Sequence, residues 1–377
     1  MKTAIIGASG EIGARLTQAF LLEGKPVRAV SRKKSPRLAR WGDIDFAELE
    51  IPASESELLK TLTRCDTVVN CVVDKKPFQS DEASIQSNEE GLRNLMEASI
   101  RSGVKKFIHL STIAVLPPRL TQQGVDSPFS YSKENDWYSR VKIATEKIAF
   151  EYKDKIELCV IRPGIVYGPY MFWSRIAFHR IQNFKVVVPL VSNSVCHAIH
   201  VDDLVGLLQH LVKQEARLPV LLHGINPEPV TWKAYYELHA NALGLYDEII
   251  SEMEEALIRA HFAAEKRAEE GPGAAEFALE RLRRIYRRLP QALTQNPLSK
   301  RMVDVMKVIK RGLPFYARLY LPPPKDFLFP NEFELNLYST TGRFKPEMTG
   351  GEQGYIYRIS LAEGVKSAAA WWNFQVG

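Results

Sequence analysis

Three glycines, Gly7, Gly10 and Gly13, fall in the stretch GASGEIG, between the apolar run TAII and the helix-period run ARLTQAFLLEG. A buried strand that turns sharply into a helix needs glycine at such points. The first glycine supplies backbone angles that other residues avoid, the second lets the main chain approach a pyrophosphate, and the third lets helix and strand pack closely. The free N–H groups at the helix start then hold phosphate. A plain tight turn would use the same residue type. Here a strand precedes it, a helix follows, and a second strand, PVRAVS, comes about 20 residues later, which is the context of a dinucleotide-binding unit.

The rest of the first half continues that alternation. TAIIG, PVRAVS, FAELEI, DTVVNCVV, KKFIHLST and IELCVIRPG read as strands, and Glu11–Glu23, Ser56–Thr63, Ser84–Ser102 and Ser139–Tyr152 carry helix-period apolar residues. The pattern predicts an α/β fold with a doubly wound, Rossmann-like parallel sheet and a smaller, mostly helical C-terminal substrate region. Residues 1–170 form the dinucleotide-binding part, and HAIHVDDLVGLLQHLV with PVLLHGIN returns to the same sheet over 198–227. Residues 171–197 and 228–377 are assigned to the substrate region, with a helical insertion over 251–325. That insertion is broken by GPG at 271–273, and from Arg281 to Arg311 it carries ten Lys/Arg against one acid, Asp304.

The four cysteines, Cys65, Cys71, Cys159 and Cys196, form no CxxC pair, so neither a zinc site nor a disulfide framework is indicated and a reducing cytoplasm fits best. The first strand begins at Lys2, leaving no room for a signal peptide. No apolar stretch reaches the about 18 residues of a membrane span. A formal charge of +6 over 377 residues does not argue for nucleic acid.

Two stretches bear on chemistry. The second strand ends in AVSRKKS, where an NAD site usually places an acid for the ribose 2′-OH. Ser31, Arg32, Lys33 and Lys34 instead favour a 2′-phosphate, so NADP(H) is preferred over NAD(H). Further on, WYSRVKIATEK places Tyr138 and Lys142 four apart on one helix face. A tyrosine with an ordinary pKa near ~10 is a poor base at neutral pH, but an adjacent ammonium and an oxidised nicotinamide both stabilise its phenolate. Ahead of that pair a strand ends in Ser111 and Thr112, whose hydroxyls point toward the crevice where ligands bind, or else cap a turn.

Taken together, these stretches resemble the extended short-chain dehydrogenase/reductases, the NAD-dependent epimerase/dehydratase group. GASGEIG, SNEEGLRNLMEAS with Asn88, HLST, YSRVK, RPGIVYGP and IHVDDLV match its motifs, and the likeness covers about the first 245 residues, with a weaker echo in LYSTTGRFKPEM and ISLAEGVKSAAAWW. The resemblance implies Tyr138 as general base or acid. Lys142 holds the nicotinamide ribose and lowers the Tyr138 pKa, and Thr112, ahead of Ser111, hydrogen-bonds the reacting oxygen. Gly7, Ser9, Gly10, Glu11, Ile12 and Gly13 line the pyrophosphate, and the Pro163–Ile165 turn lies beside the nicotinamide. Val141 replaces the usual serine before the lysine. Ile113 and Ala114 stand where family dehydratases carry an Asp-Glu pair, which disfavours dehydration by that route.

His197 and His200 lack a third ligand at useful spacing, so no metal is expected. For the basic run the readings are solvated helices first, then a contact for a substrate phosphate, and last a membrane-surface patch. The expected activity is hydride transfer at a secondary alcohol or ketone carbon of a small molecule, a sugar or nucleotide-sugar. The rivals are an NADPH-dependent ketoreductase of hydroxysteroid type and a non-catalytic NADP-binding redox sensor. Family members often pair through the helices that match Ser84–Ser102 and Tyr138–Tyr152, so a homodimer is expected over a monomer capped by the insertion.

Overall fold

A computed structural model of the chain describes residues 1–73, 79–117, 136–191, 194–228, 230–245, 249–270, 327–344, 349–350 and 354–376. The GPG break, the basic run Arg281–Arg311 and the last part of LYSTTGRFKPEM lie outside the described residues. Apolar runs without alternation belong in a sheet covered on both faces. The strand β1 (Thr3–Ile6), buried at every residue, lies inside such a sheet. It is followed by α1 (Glu11–Leu22), β2 (Val27–Ser31), α2 (Pro36–Ala39), β3 (Phe46–Glu48), α3 (Glu55–Leu62), β4 (Thr67–Asn70), α4 (Asp81–Arg101), β5 (Lys106–Leu110), α5 (Trp137–Glu151) and β6 (Glu157–Pro163). After β7 (Ile165–Tyr167), α6 (Phe172–Asn183), β8 (Lys185–Pro189), β9 (Ala198–His200) and α7 (Val201–Lys213), the chain re-enters the sheet as β10 (Leu221–Gly224). The strand order is β10-β6-β5-β4-β1-β2-β3, and every neighbouring pair is parallel.

Alternate residues of the central strands feed the two faces of one large core. Ile5, Val69, Ile108 and Ile161 pack under Leu16 and Phe20 of α1 and Leu204, Leu207 and Leu211 of α7. Ala4, Ile6, Val68 and Phe107 face Leu58 and Leu62 of α3, Leu92, Leu95 and Met96 of α4 and Ile148 of α5. Helix starts are fixed by capping side chains: Ser54 with Glu57 for α3, Ser80 for α4 and Asp136 for α5. Because Asp136 supplies that cap, α5 begins at Trp137 rather than Ser139, and Tyr138 lies in its first turn.

The remaining elements are α8 (Trp232–Ala242), β11 (Ile250–Met253), α9 (Glu255–Glu270), β12 (Phe327–Leu328), α10 (Glu332–Tyr338) and α11 (Leu361–Val376). A second core joins α6, α8 and α11 around Phe178, Trp232, Tyr235 and Ala368, with β7 and β9 paired at its edge and β11-β8-β12 forming a small parallel sheet. The stretch HAIHVDDLVGLLQHLV divides: Ala198–His200 is strand, and His200 caps α7 by accepting from the Asp202 N–H at 3.2 Å. Asp203, buried one residue on, accepts from the main-chain N–H groups of Arg358 (2.9 Å) and Ile359 (3.1 Å) and from the Tyr355 hydroxyl (3.1 Å), tying the C-terminal segment to α7. No helix among the described residues is long and apolar enough to cross a membrane.

Candidate active site

The glycine turn closes β1 onto α1. Gly7 has φ +85°, and a Cβ on Gly13 would lie 2.3 Å from the Gly7 carbonyl oxygen, so both positions exclude a side chain. Ser9 and Ser31 shape the adjoining loop: their hydroxyls lie 2.8 Å apart, within 2.6 and 3.0 Å of the Lys33 carbonyl, and Ser9 Oγ accepts from the Ser35 N–H at 3.3 Å. Arg32 and Lys33 are exposed beside them, and Ile12 is half-buried against the α1 core. Glu11 follows Gly10 at the start of α1. Its carboxylate accepts from Arg175 Nη2 (2.6 Å) and from the Phe172 N–H (3.0 Å).

Helix α5 turns Tyr138, Lys142 and Glu146, spaced by four, toward the end of β5. Thr112 caps the short turn after β5, its hydroxyl accepting from the Ala114 N–H at 3.2 Å, and it lies close enough to Tyr138 to act on the phenol. Tyr138 is 37% exposed, yet burial around its hydroxyl pushes its pKa up to about 12, with Thr112 pulling down and Asp136 pushing up. The lowering expected from Lys142 is not what this arrangement gives. The buried Lys142 ammonium donates instead to the Leu110 carbonyl at 2.7 Å, and burial brings its own pKa down to about 8 against the opposing influence of Cys71 and Glu146.

Ser111 takes no part in that pair. Its hydroxyl donates to Glu146, which is fully buried and also accepts from Arg162 Nε at 3.1 and 3.2 Å and from Arg162 Nη2. Sequence reasoning overlooked Glu146 and Arg162, although the four-residue step from Lys142 was the available signal. At the end of β6, Pro163 leads into a main-chain crossing where a Cβ on Gly164 would lie 1.8 Å from the His197 carbonyl oxygen. The Ile165 side chain is buried in the second core rather than in the crevice. His197 Nε2 lies 3.0 Å from the Gly342 carbonyl and His200 caps α7, so each histidine has its own structural contact.

A family model described as "NAD dependent epimerase/dehydratase family" matches residues 3–220. The chain is 26% identical over 224 residues to a UDP-glucose 4-epimerase of Vibrio cholerae, covering 54% of this chain and 64% of that protein. It is 26% identical over 178 residues to a 3-beta-hydroxysteroid dehydrogenase of Mycolicibacterium neoaurum, covering 44% and 48%. The chain thus spans less than two thirds of either curated relative. A solved UDP-glucose 4-epimerase with UDP-glucose from Thermotoga maritima shares the fold, with a TM-score of 0.65 at 16% identity and full coverage of both chains.

Proposed function

This chain belongs to the NAD-dependent epimerase/dehydratase family, and on that premise we propose that it is an NADP(H)-preferring oxidoreductase or epimerase acting at a secondary alcohol or ketone carbon. The observation that carries the reading is the convergence of Tyr138, Thr112 and Lys142 at the end of β5. The turn at Gly7, Gly10 and Gly13 suits a pyrophosphate because the backbone of Gly7 and the close contact at Gly13 call for glycine and Gly10 is tight, and Arg32 and Lys33 suit a 2′-phosphate. Lys142 would exchange the Leu110 carbonyl for the nicotinamide ribose. When bound, the nicotinamide supplies hydride transfer at its C4. Tyr138 moves the proton of the substrate oxygen and Thr112 steadies that oxygen.

For the substrate, a sugar or nucleotide-sugar is the first reading, supported by the epimerase relative. A second reading, an apolar ring alcohol, is supported by the buried cluster Ile113, Val115, Leu116, Ile143, Ile225 and Phe344, which adjoins Thr112 and Lys142. A homodimer through α4 and α5 and a reducing cytoplasmic setting complete the proposal; light scattering at one chain's mass would count against the dimer. The test is stopped-flow nicotinamide absorbance under single-turnover conditions with UDP-glucose and with a 3β-hydroxysteroid. A redox change that Tyr138→Phe abolishes supports catalysis, whereas tight NADPH binding with no redox change on a broad panel of alcohols and ketones points to a sensor.

A further inference from the structure

The chain between β7 and α6 crosses beside the phosphate turn. Gly168 (φ +125°) and Tyr170 (φ +69°) bend it there, and the Tyr170 ring packs between the Arg37 guanidinium of α2 (4.3 Å) and Trp371 of α11 (4.8 Å). From the fourth position of α6, Arg175 reaches back to Glu11, the first residue of α1. A carboxylate at that place opposes the binding of a pyrophosphate by charge alone. Arg175 cancels that charge and brings a guanidinium to the same mouth. Both side chains are more than a third exposed, and an exposed ion pair of this kind adds little to stability. Among the described residues only Nη2 of the Arg175 side chain is engaged, so its other N–H donors stand ready for an acceptor.

We propose that Arg175, held at the glycine turn by Glu11, is a pyrophosphate-binding residue that α6 supplies to the cofactor site. This rests on the dinucleotide reading above. The guanidinium keeps Glu11 on one edge and offers the other to a phosphate oxygen, in the fork geometry that arginine favours. The cofactor's central charge is then met by a residue from outside the β1–α1 unit, and Glu11 acts as the positioning residue for it.

The test is a fluorescence titration of the full chain with NADH and with NADPH. Because the pyrophosphate is common to both, Arg175→Gln is expected to weaken the two by the same factor, about 10- to 50-fold, as for loss of a charged hydrogen bond. The salt dependence of binding should flatten, and Arg175→Lys should recover part of the loss. Glu11→Gln/Arg175→Gln should remain weaker than wild type. Restoration of wild-type affinity in that double variant would reduce Arg175 to a neutraliser of Glu11 and overturn the proposal. Arg175→Gln binding within two-fold of wild type, or a loss with unchanged salt dependence and a lowered melting temperature, would overturn it as well. If the wild-type chain binds neither nucleotide, the dinucleotide reading falls first and this inference with it.

Discussion

Ser111 and Thr112, adjacent at the end of β5, turn their hydroxyls to different partners: Ser111 donates to the buried Glu146, while Thr112 accepts from the Ala114 N–H at 3.2 Å on the side facing Tyr138. Two adjacent hydroxyls therefore carry different duties. Thr112→Val should raise the barrier to turnover by about 1–3 kcal/mol because it removes a donor at the reacting oxygen, at a stability cost of about 1 kcal/mol for the lost cap on Ala114. Ser111→Ala should act on stability instead and cost about 1–3 kcal/mol, since it takes a hydrogen bond from a buried carboxylate. Parallel melting and single-turnover curves separate the two.

Tyr138→Phe removes one oxygen and keeps the ring. Turnover should fall by about 10²–10⁴, the range for losing a general acid or base, with cofactor affinity nearly intact. A Phe variant that binds NADPH and turns over at the wild-type rate would remove Tyr138 from the mechanism.

Lys142 carries a cost that pH exposes. It is enclosed by Cys71, His109, Tyr138 and Glu146, and burial holds its pKa near about 8 against 10.5 for an ordinary lysine. Below pH 8 the ammonium is present in both folded and unfolded chains and the penalty is complete. Between pH 8 and 10.5 the unfolded chain still binds the proton while the folded chain has released it, so stability should rise through that window by about 3 kcal/mol. Lys142→Met should lack this rise, melt higher than wild type at pH 7, and bind cofactor less tightly. Denaturant titrations at pH 7, 8.5 and 10 provide the measurement.

Arg162 and Glu146 are both fully buried. Arg162→Met alone leaves a buried carboxylate without its counter-charge and should cost about 3–5 kcal/mol, whereas Arg162→Met with Glu146→Leu should recover most of the loss. Equilibrium unfolding of the single and double variants tests this non-additivity.

Arg32 bears on cofactor choice. Arg32→Asp should weaken NADPH by about 1.5–3 kcal/mol, through loss of a charge-assisted contact and new repulsion, and leave NADH less affected. Wild-type chain that binds both with equal affinity would refute the NADP preference.

The sheet was legible because its strands are short, have apolar centres such as the Val68–Val69 pair of TVVN and the Phe107–Ile108 pair of KFIHL, and are separated by helix-period runs. The glycine turn was legible for a steric reason, since Gly7 and Gly13 occupy places closed to other residues. What escaped the sequence depends on partners distant in the chain. Nothing local to Glu11 announces Arg175, 164 residues on, and nothing near Ser111 announces that Glu146 claims its hydroxyl. The start of α5 was misread by two residues because Asp136 looks like one more polar loop residue until its carboxylate accepts from the Ser139 N–H at 2.9 Å. Charge states were also out of reach, since composition says nothing about how deeply Lys142 is enclosed.

The late return of β10 has a consequence for dissection of the protein. The chain leaves the large sheet after β6, contributes β7, α6, β8 and β9 to the other core, and only then comes back with α7 and β10. A fragment ending near residue 170 would therefore lack its outermost strand and the helix that covers Ile5, Ile108 and Ile161, leaving an oily face and an unpaired edge in water. Expressed alone it should aggregate, and a protease that nicks the chain between β6 and β10 should release no stable piece. The two cores are sewn together by repeated crossings, so they should melt in a single transition and be inherited, moved or lost as one unit.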